Sequence, residues 1–162
     1  MTQRKIVKAV FAAVLPLLGS SAMAQMPNPY GMAINLENAK KAANPALAEA
    51  RKNSWTMAIA IVDTGGTLVY YEKLDNTQAG SAQVAINKAR SAVQFKRPTK
   101  AFQDAVAAGG DGLRILRLEG AVPVEGGIPL VLDGKIVGAI GVSGGTSVQD
   151  NQCAKAGADA LK

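Results

Sequence analysis

Apolar positions along the chain follow two periodicities, and the switches between them give the expected order of elements. In residues 35–52, Leu36, Ala39, Ala43, Leu47 and Ala50 recur at helical spacing with charges between them. This predicts a first helix, kinked or restarted at Asn44-Pro45. Residues 55–62 are nearly all apolar, and the run Met57, Ala58, Ile59, Ala60, Ile61, Val62 places apolar side chains on both faces, as in a central strand covered on both sides. Asp63-Thr64-Gly65-Gly66 then supplies a turn, and residues 67–74 return as the second strand of a hairpin. From Ser81, read as an N-cap, Ala82, Ala85, Ile86, Ala89 and Val93 share one helical face, with Gln83, Asn87, Lys88 and Arg90 elsewhere. That helix is expected to end near Lys96, because Pro98 restrains the residue before it.

Residues 99–108 form a short second helix that Gly109-Gly110 terminates. Three strands follow, over 114–119, 128–132 and 135–142, the last two joined by an Asp133-Gly134 hairpin turn. Ser147-Val148-Gln149-Asp150 resembles a capping box, opening a helix with Ala154, Ala158 and Leu161 on one face. The order α-β-β-α-α-β-β-β-α, with mostly hairpin connections, favours an antiparallel sheet packed by helices over a doubly wound parallel one.

The amino terminus follows a different logic. Arg4, Lys5 and Lys8 precede a short apolar run over residues 9–18, and Ala22-Met23-Ala24 is a small-x-small cleavage site. Residues 1–24 are therefore expected to be a secretory signal, with the mature protein periplasmic or secreted. The apolar run is too short to span a bilayer, which takes about 20 helical residues. Residues 25–34, with Pro27 and Pro29, read as an extended arm whose removal costs the core little, and residues 35–162 as one domain. Half of the formal charge of +6 sits in Arg4, Lys5 and Lys8, so the mature chain is too mildly basic for nucleic acid.

Side-chain chemistry narrows the function classes. The chain has no histidine, which excludes Ser-His and Cys-His catalysis. Cys153 is the single cysteine, so there is no internal disulfide, and its alanine-rich surroundings suit a small buried residue. The strand–glycine loop–helix sequence around Ser143, Gly144 and Gly145 is either a structural turn and cap or a place where free N–H groups hold a carboxylate or phosphate. Lys96, Arg97 and Lys100 are either a solvated cluster or a setting in which Arg97 pairs with Glu125 or with a ligand carboxylate. Glu125-Gly126-Gly127 is either a bend or a ligand-lining loop. Asp63, before two glycines, reads as a turn former first and an acid catalyst second.

Several segments together resemble the GlcG/HbpS-like haem-binding family: 58–66, the helix 81–92 with Lys88-Ala89, 95–99, 126–129, Asp133-Gly134, 137–145, and Asp150 with 154–161. The likeness covers roughly residues 36–161. It implies a profilin-like α+β domain with a five-stranded antiparallel sheet flanked by helices, and a homo-oligomer from dimer to octamer. It also implies haem binding, in haem sensing or handling; a membrane-bound sensor is the partner expected if the protein is instead an interaction module. The pocket positions carried over by motif are Arg97, Glu125, Gly126, Gly127, Ser143 and Gly144. Without histidine, haem iron would have to be ligated by Met26, Met32, Met57, Cys153, Tyr30, Tyr70, Tyr71 or a hydroxyl, or the haem be held by apolar contact. The leading expectation is an exported binding protein for haem or a related carboxylate-bearing small molecule, its propionates near Arg97 or the Gly144-Gly145 loop. The alternatives are an enzyme or accessory factor acting on a small organic acid through Glu125 or Asp63, and an oligomeric interaction module with no small-molecule site.

Overall fold

The computed structural model describes residues 27–161 of the chain; the expected signal, residues 1–24, and Met26 lie outside the described residues. The elements are α1 (Leu36–Lys52), β1 (Ala58–Asp63), β2 (Leu68–Lys73), α2 (Ser81–Gln94), α3 (Lys100–Ala107), a 3₁₀ helix (Gly110–Arg117), β3 (Gly127–Leu132), β4 (Lys135–Ser143) and α4 (Ser147–Asp159). Four strands form one sheet in the order β2-β1-β4-β3, with every neighbouring pair antiparallel.

Strand alternation sorts the core into two sides. Ile59 and Ile61 of β1 and Ile140 and Val142 of β4 pack with Ala42, Ala46 and Leu47 of α1 and Cys153, Ala154 and Leu161 at α4. The other side is built from smaller residues: Val62 and Ala139 meet Ala89, Ala92 and Val93 of α2, while Ala58 and Ala60 meet Ala85. Small residues there let α2 lie directly on the sheet. Gly141 is the tightest point, since a Cβ on it would fall 2.0 Å from the Ala85 carbonyl oxygen and 2.6 Å from the Ala89 nitrogen. The expected two-sided burial of β1 is thus met, with Met57 to one side and all strand residues before Asp63 fully enclosed.

Three expectations need correction. Among the described residues the sheet has four strands rather than five, because residues 114–117 of the stretch read as a strand over 114–119 belong to the 3₁₀ helix. Gly109 and Gly110 take positive φ and turn the chain back over α3, and a Cβ on Gly112 would fall 1.9 Å from the Ala105 carbonyl oxygen. Close docking against α3 therefore replaces strand pairing, and Leu113 and Leu116 repeat at the three-residue spacing of a 3₁₀ turn.

The arm also makes contacts that an arm of little cost to the core was not expected to make. Beyond the end of β1, Ile136 and Val137 of β4 bond instead to the arm: Ile136 N–H to Pro29 O at 2.8 Å, Gly31 N–H to Ile136 O at 2.8 Å and Ile34 N–H to Val137 O at 2.8 Å. Ile34 is buried, and the Tyr30 hydroxyl donates to Val93 O at 2.7 Å. Finally, α1 runs on through Pro45 as one helix rather than restarting there.

Gly141→Ala is expected to lower the unfolding free energy by about 1–3 kcal/mol or more through overpacking. Gly80→Ala, where nothing lies within 4 Å of the new carbon, should leave it unchanged. Urea denaturation of the two variants checks this.

Candidate functional site

Two places gather chemistry-bearing side chains, and they differ in kind. The first is internal. Lys88, on α2, was expected to lie off the helix's buried face, but it is 1% exposed. Its ammonium donates to Asp150 Oδ2 of α4 at 2.7 Å and to Val142 O of β4 at 3.1 Å. Glycines clear its path: a Cβ on Gly127 would lie 2.4 Å from the Lys88 carbonyl oxygen, and one on Gly126 would lie 3.0 Å from Nζ. The other oxygen of Asp150, Oδ1, accepts from Gly145 N–H at 3.0 Å. Burial pushes the Asp150 carboxyl above its ordinary value, while Lys88 and the Gly145 and Gly144 amides pull it back.

This answers the question posed by the glycine loop after β4. The loop does hold a carboxylate, and that carboxylate is the protein's own. The α4 cap begins one residue earlier than expected: Thr146 Oγ1 accepts from Gln149 N–H at 3.3 Å and Gln149 Oε1 accepts from Thr146 N–H at 2.9 Å. Asp150, inside the helix rather than in the box, is thereby left to face Lys88.

Around the pair lie further buried polar groups. Thr99 accepts at Oγ1 from Gly127 N–H at 2.9 Å, and its own N–H donates to Gly127 O at 2.9 Å, which fixes the start of α3 to the start of β3. Ser81, expected as an N-cap, is instead the first residue of α2; its hydroxyl accepts from Ser143 at 3.3 Å. Glu125 is buried, with its N–H bonded to Gln103 Oε1 at 2.9 Å. Gly126, Gly127, Ser143 and Gly144 therefore converge on this buried polar frame, with Glu125 next to it in the chain. Asp63 is a turn former, its Oδ1 accepting from Gly65 N–H at 2.9 Å and Thr67 N–H at 2.8 Å.

The second place is open. A cavity of about 380 Å³ between α3 and the 3₁₀ helix is lined by Arg97, Ala101, Phe102, Ala105, Arg114, Ile115, Arg117 and Leu118. Phe102 is buried and braced edge-on by Phe95, with ring centroids 5.2 Å apart, so the wall it forms is rigid. Arg97 is exposed, donates from Nε to Phe95 O at 3.1 Å, and holds its guanidinium 5.7 Å from the Phe102 ring centroid. Among the described residues, no ion pair joins it to Glu125. Arg114 is paired at the surface with Asp111 at 2.9 Å. Apolar walls with a few polar groups are the usual make-up of a small-molecule site, and the volume falls within the usual range of about 300–1,000 Å³.

The family model for haem degrading protein HbpS-like matches residues 34–159, which takes in both places. The chain belongs to the HbpS-like family. It is 41% identical over 95 residues to protein GlcG of Escherichia coli K12, covering 59% of this chain and 69% of that protein. Its fold is similar to the crystal structure of HbpS, with a TM-score of 0.73 and 30% identity over 82% of this chain and 92% of that one. It is likewise similar to the crystal structure of a PduOC:heme complex, with a TM-score of 0.72 and 26% identity over 81% of this chain and 96% of that one.

Of the six pocket positions that the HbpS-like resemblance suggested, Arg97 alone lines the open cleft. Sequence reasoning missed Lys88 and Asp150 as partners because nothing local links positions in two helices on opposite sides of a sheet. It missed Ile115, Arg117 and Leu118 because 114–119 was read as a strand. The three-residue spacing of Leu113 with Leu116 and of Ile115 with Leu118 was the available signal.

Two outcomes test the internal frame. Lys88→Ala should cost about 3–5 kcal/mol by leaving a buried carboxylate unpaired, whereas Lys88→Met combined with Asp150→Leu should recover most of that loss in denaturation experiments. Cys153, whose thiol burial pushes up to about 12, should stay inert to a disulfide reagent near neutral pH and react fully once the chain is unfolded.

Proposed function

We propose that this protein binds haem or a related flat, carboxylate-bearing molecule in the cleft between α3 and the 3₁₀ helix. The observation that carries this reading is the composition of the cleft: hydrocarbon from Phe102, Ile115 and Leu118, with the guanidinium-bearing residues Arg97, Arg114 and Arg117. The apolar walls suit a macrocycle, and a guanidinium fork suits a propionate, with which it forms paired, charge-assisted hydrogen bonds. The similarity to HbpS and to a haem complex of PduOC supports the same ligand class. When bound, haem would bring redox-active iron to the cleft; Arg97, Arg114 and Arg117 would hold its carboxylates, and Phe102, Ile115 and Leu118 would pack on the macrocycle.

The closed polar frame supports binding in a different way, by fixing the start of α3 through Thr99 and Gly127. Arg97 sits two residues before that anchor, and its N–H donates to Ala92 O at 3.2 Å, so its backbone is held at that position and just beyond it. The basic start and apolar run of residues 1–24 support export, which would put the cleft outside the cytoplasm.

Absorbance titration of the protein with ferric haem tests the reading. A saturable Soret band at a fixed haem-to-chain ratio is expected. The combined change Arg97→Glu and Arg117→Glu should weaken binding by about tenfold or more, since each tenfold is 1.4 kcal/mol and a like charge facing a propionate costs at least that. Lys40→Glu with Lys41→Glu, the same charge change on α1, should not. A linear, featureless response would sink the proposal.

A further inference from the structure

The cleft has an apolar wall and cations for carboxylates, but it lacks one thing a haem site ordinarily has. Its described lining contains arginine, alanine, phenylalanine, isoleucine and leucine side chains and no sulfur, phenol, imidazole or carboxylate to ligate iron. Among the described residues, the candidate ligands lie elsewhere. Met57 and Cys153 are fully buried in the core against α1 and α4. The Tyr70 hydroxyl is bound to Glu72 at 2.6 Å, and Tyr71 packs with Ala58, Ala60 and Ala85 on the sheet side facing α2. Tyr30 gives its hydroxyl to Val93 and lies under Lys96, whose ammonium is 4.2 Å from the ring centroid. Met32 is open to solvent, but it lines a separate cavity of about 120 Å³ with Ile34, Leu132 and Val137.

Resting on the proposed cleft, we infer that recognition is of the tetrapyrrole ring and its carboxylates and is indifferent to the metal. The ligand class is then flat dicarboxylate tetrapyrroles with or without iron. The physical reason is that every interaction the cleft offers acts on the periphery of the ring: guanidinium forks on propionates, and hydrocarbon on the macrocycle face. None changes when the central ion is removed.

The test is a matched titration of the full-length protein with ferric haem and with metal-free protoporphyrin IX, followed by displacement of one by the other. The inference predicts dissociation constants within about threefold of each other, full mutual displacement, and a parallel loss of both in the Arg97→Glu, Arg117→Glu variant. It also predicts that Met32→Ala and Tyr71→Phe leave the bound haem spectrum unchanged. Haem bound at least about a hundredfold more tightly than the metal-free ring, or a spectrum altered by either substitution, would overturn the inference while leaving haem binding intact. Absence of saturation with both molecules would overturn the cleft itself along with it.

Discussion

The Lys88–Asp150 contact ties α2 directly to α4 across the sheet. It runs from the helix on one side of the sheet to the helix on the other, passing the end where β3 and β4 begin and finish. A charge so enclosed is tolerated only when it is paired and further hydrogen-bonded. Lys88 therefore needs Val142 O as well as the carboxylate, and Asp150 needs the amide of Gly145 as well as the ammonium. Those needs set the glycines at Gly126, Gly127 and Gly144, where any side chain would occupy the space taken by the pair or by backbone. A buried ion pair of this kind contributes registry more than net stability.

That constraint explains why the glycine-rich motifs look like a ligand site: the carboxylate their loop holds in this structure is that of Asp150. A loop of free N–H groups at a helix start attracts an anion, and here the helix it opens supplies the anion from its own first turn. The consequence is a division of labour. The motifs most visible in the sequence build a closed frame, and the frame holds α3 in place so that a less conspicuous segment, the 3₁₀ helix, can wall an open cleft against it.

Legibility in the sequence follows the same division. The hairpins β1–β2 and β3–β4, the helices α1, α2 and α4, and the two-sided core of β1 were readable because each has a local period and a local turn. The added fifth strand was wrong because short apolar runs beside arginines fit a strand and a 3₁₀ turn equally well, and docking on α3 through Gly112 decided between them. The arm was undervalued because its contribution is backbone pairing with Ile136 and Val137, which leaves no mark in side-chain periodicity. Lys88 was placed on the solvent side because a lysine is rarely enclosed, and only a partner distant in sequence reverses that preference.

The buried frame and the open cleft are separate places, and the most direct test asks which of them a ligand touches. Ferric haem is paramagnetic, so amide signals near its site broaden in a two-dimensional NMR spectrum of the labelled protein. The account predicts that broadening begins at Ala101, Ala105, Ile115 and Leu118, with Gly144 and Gly145 unaffected at low haem. Broadening that begins at Gly144, Gly145 and Ser143, with the α3 and 3₁₀ amides sharp, would contradict it and return the binding site to the glycine loop.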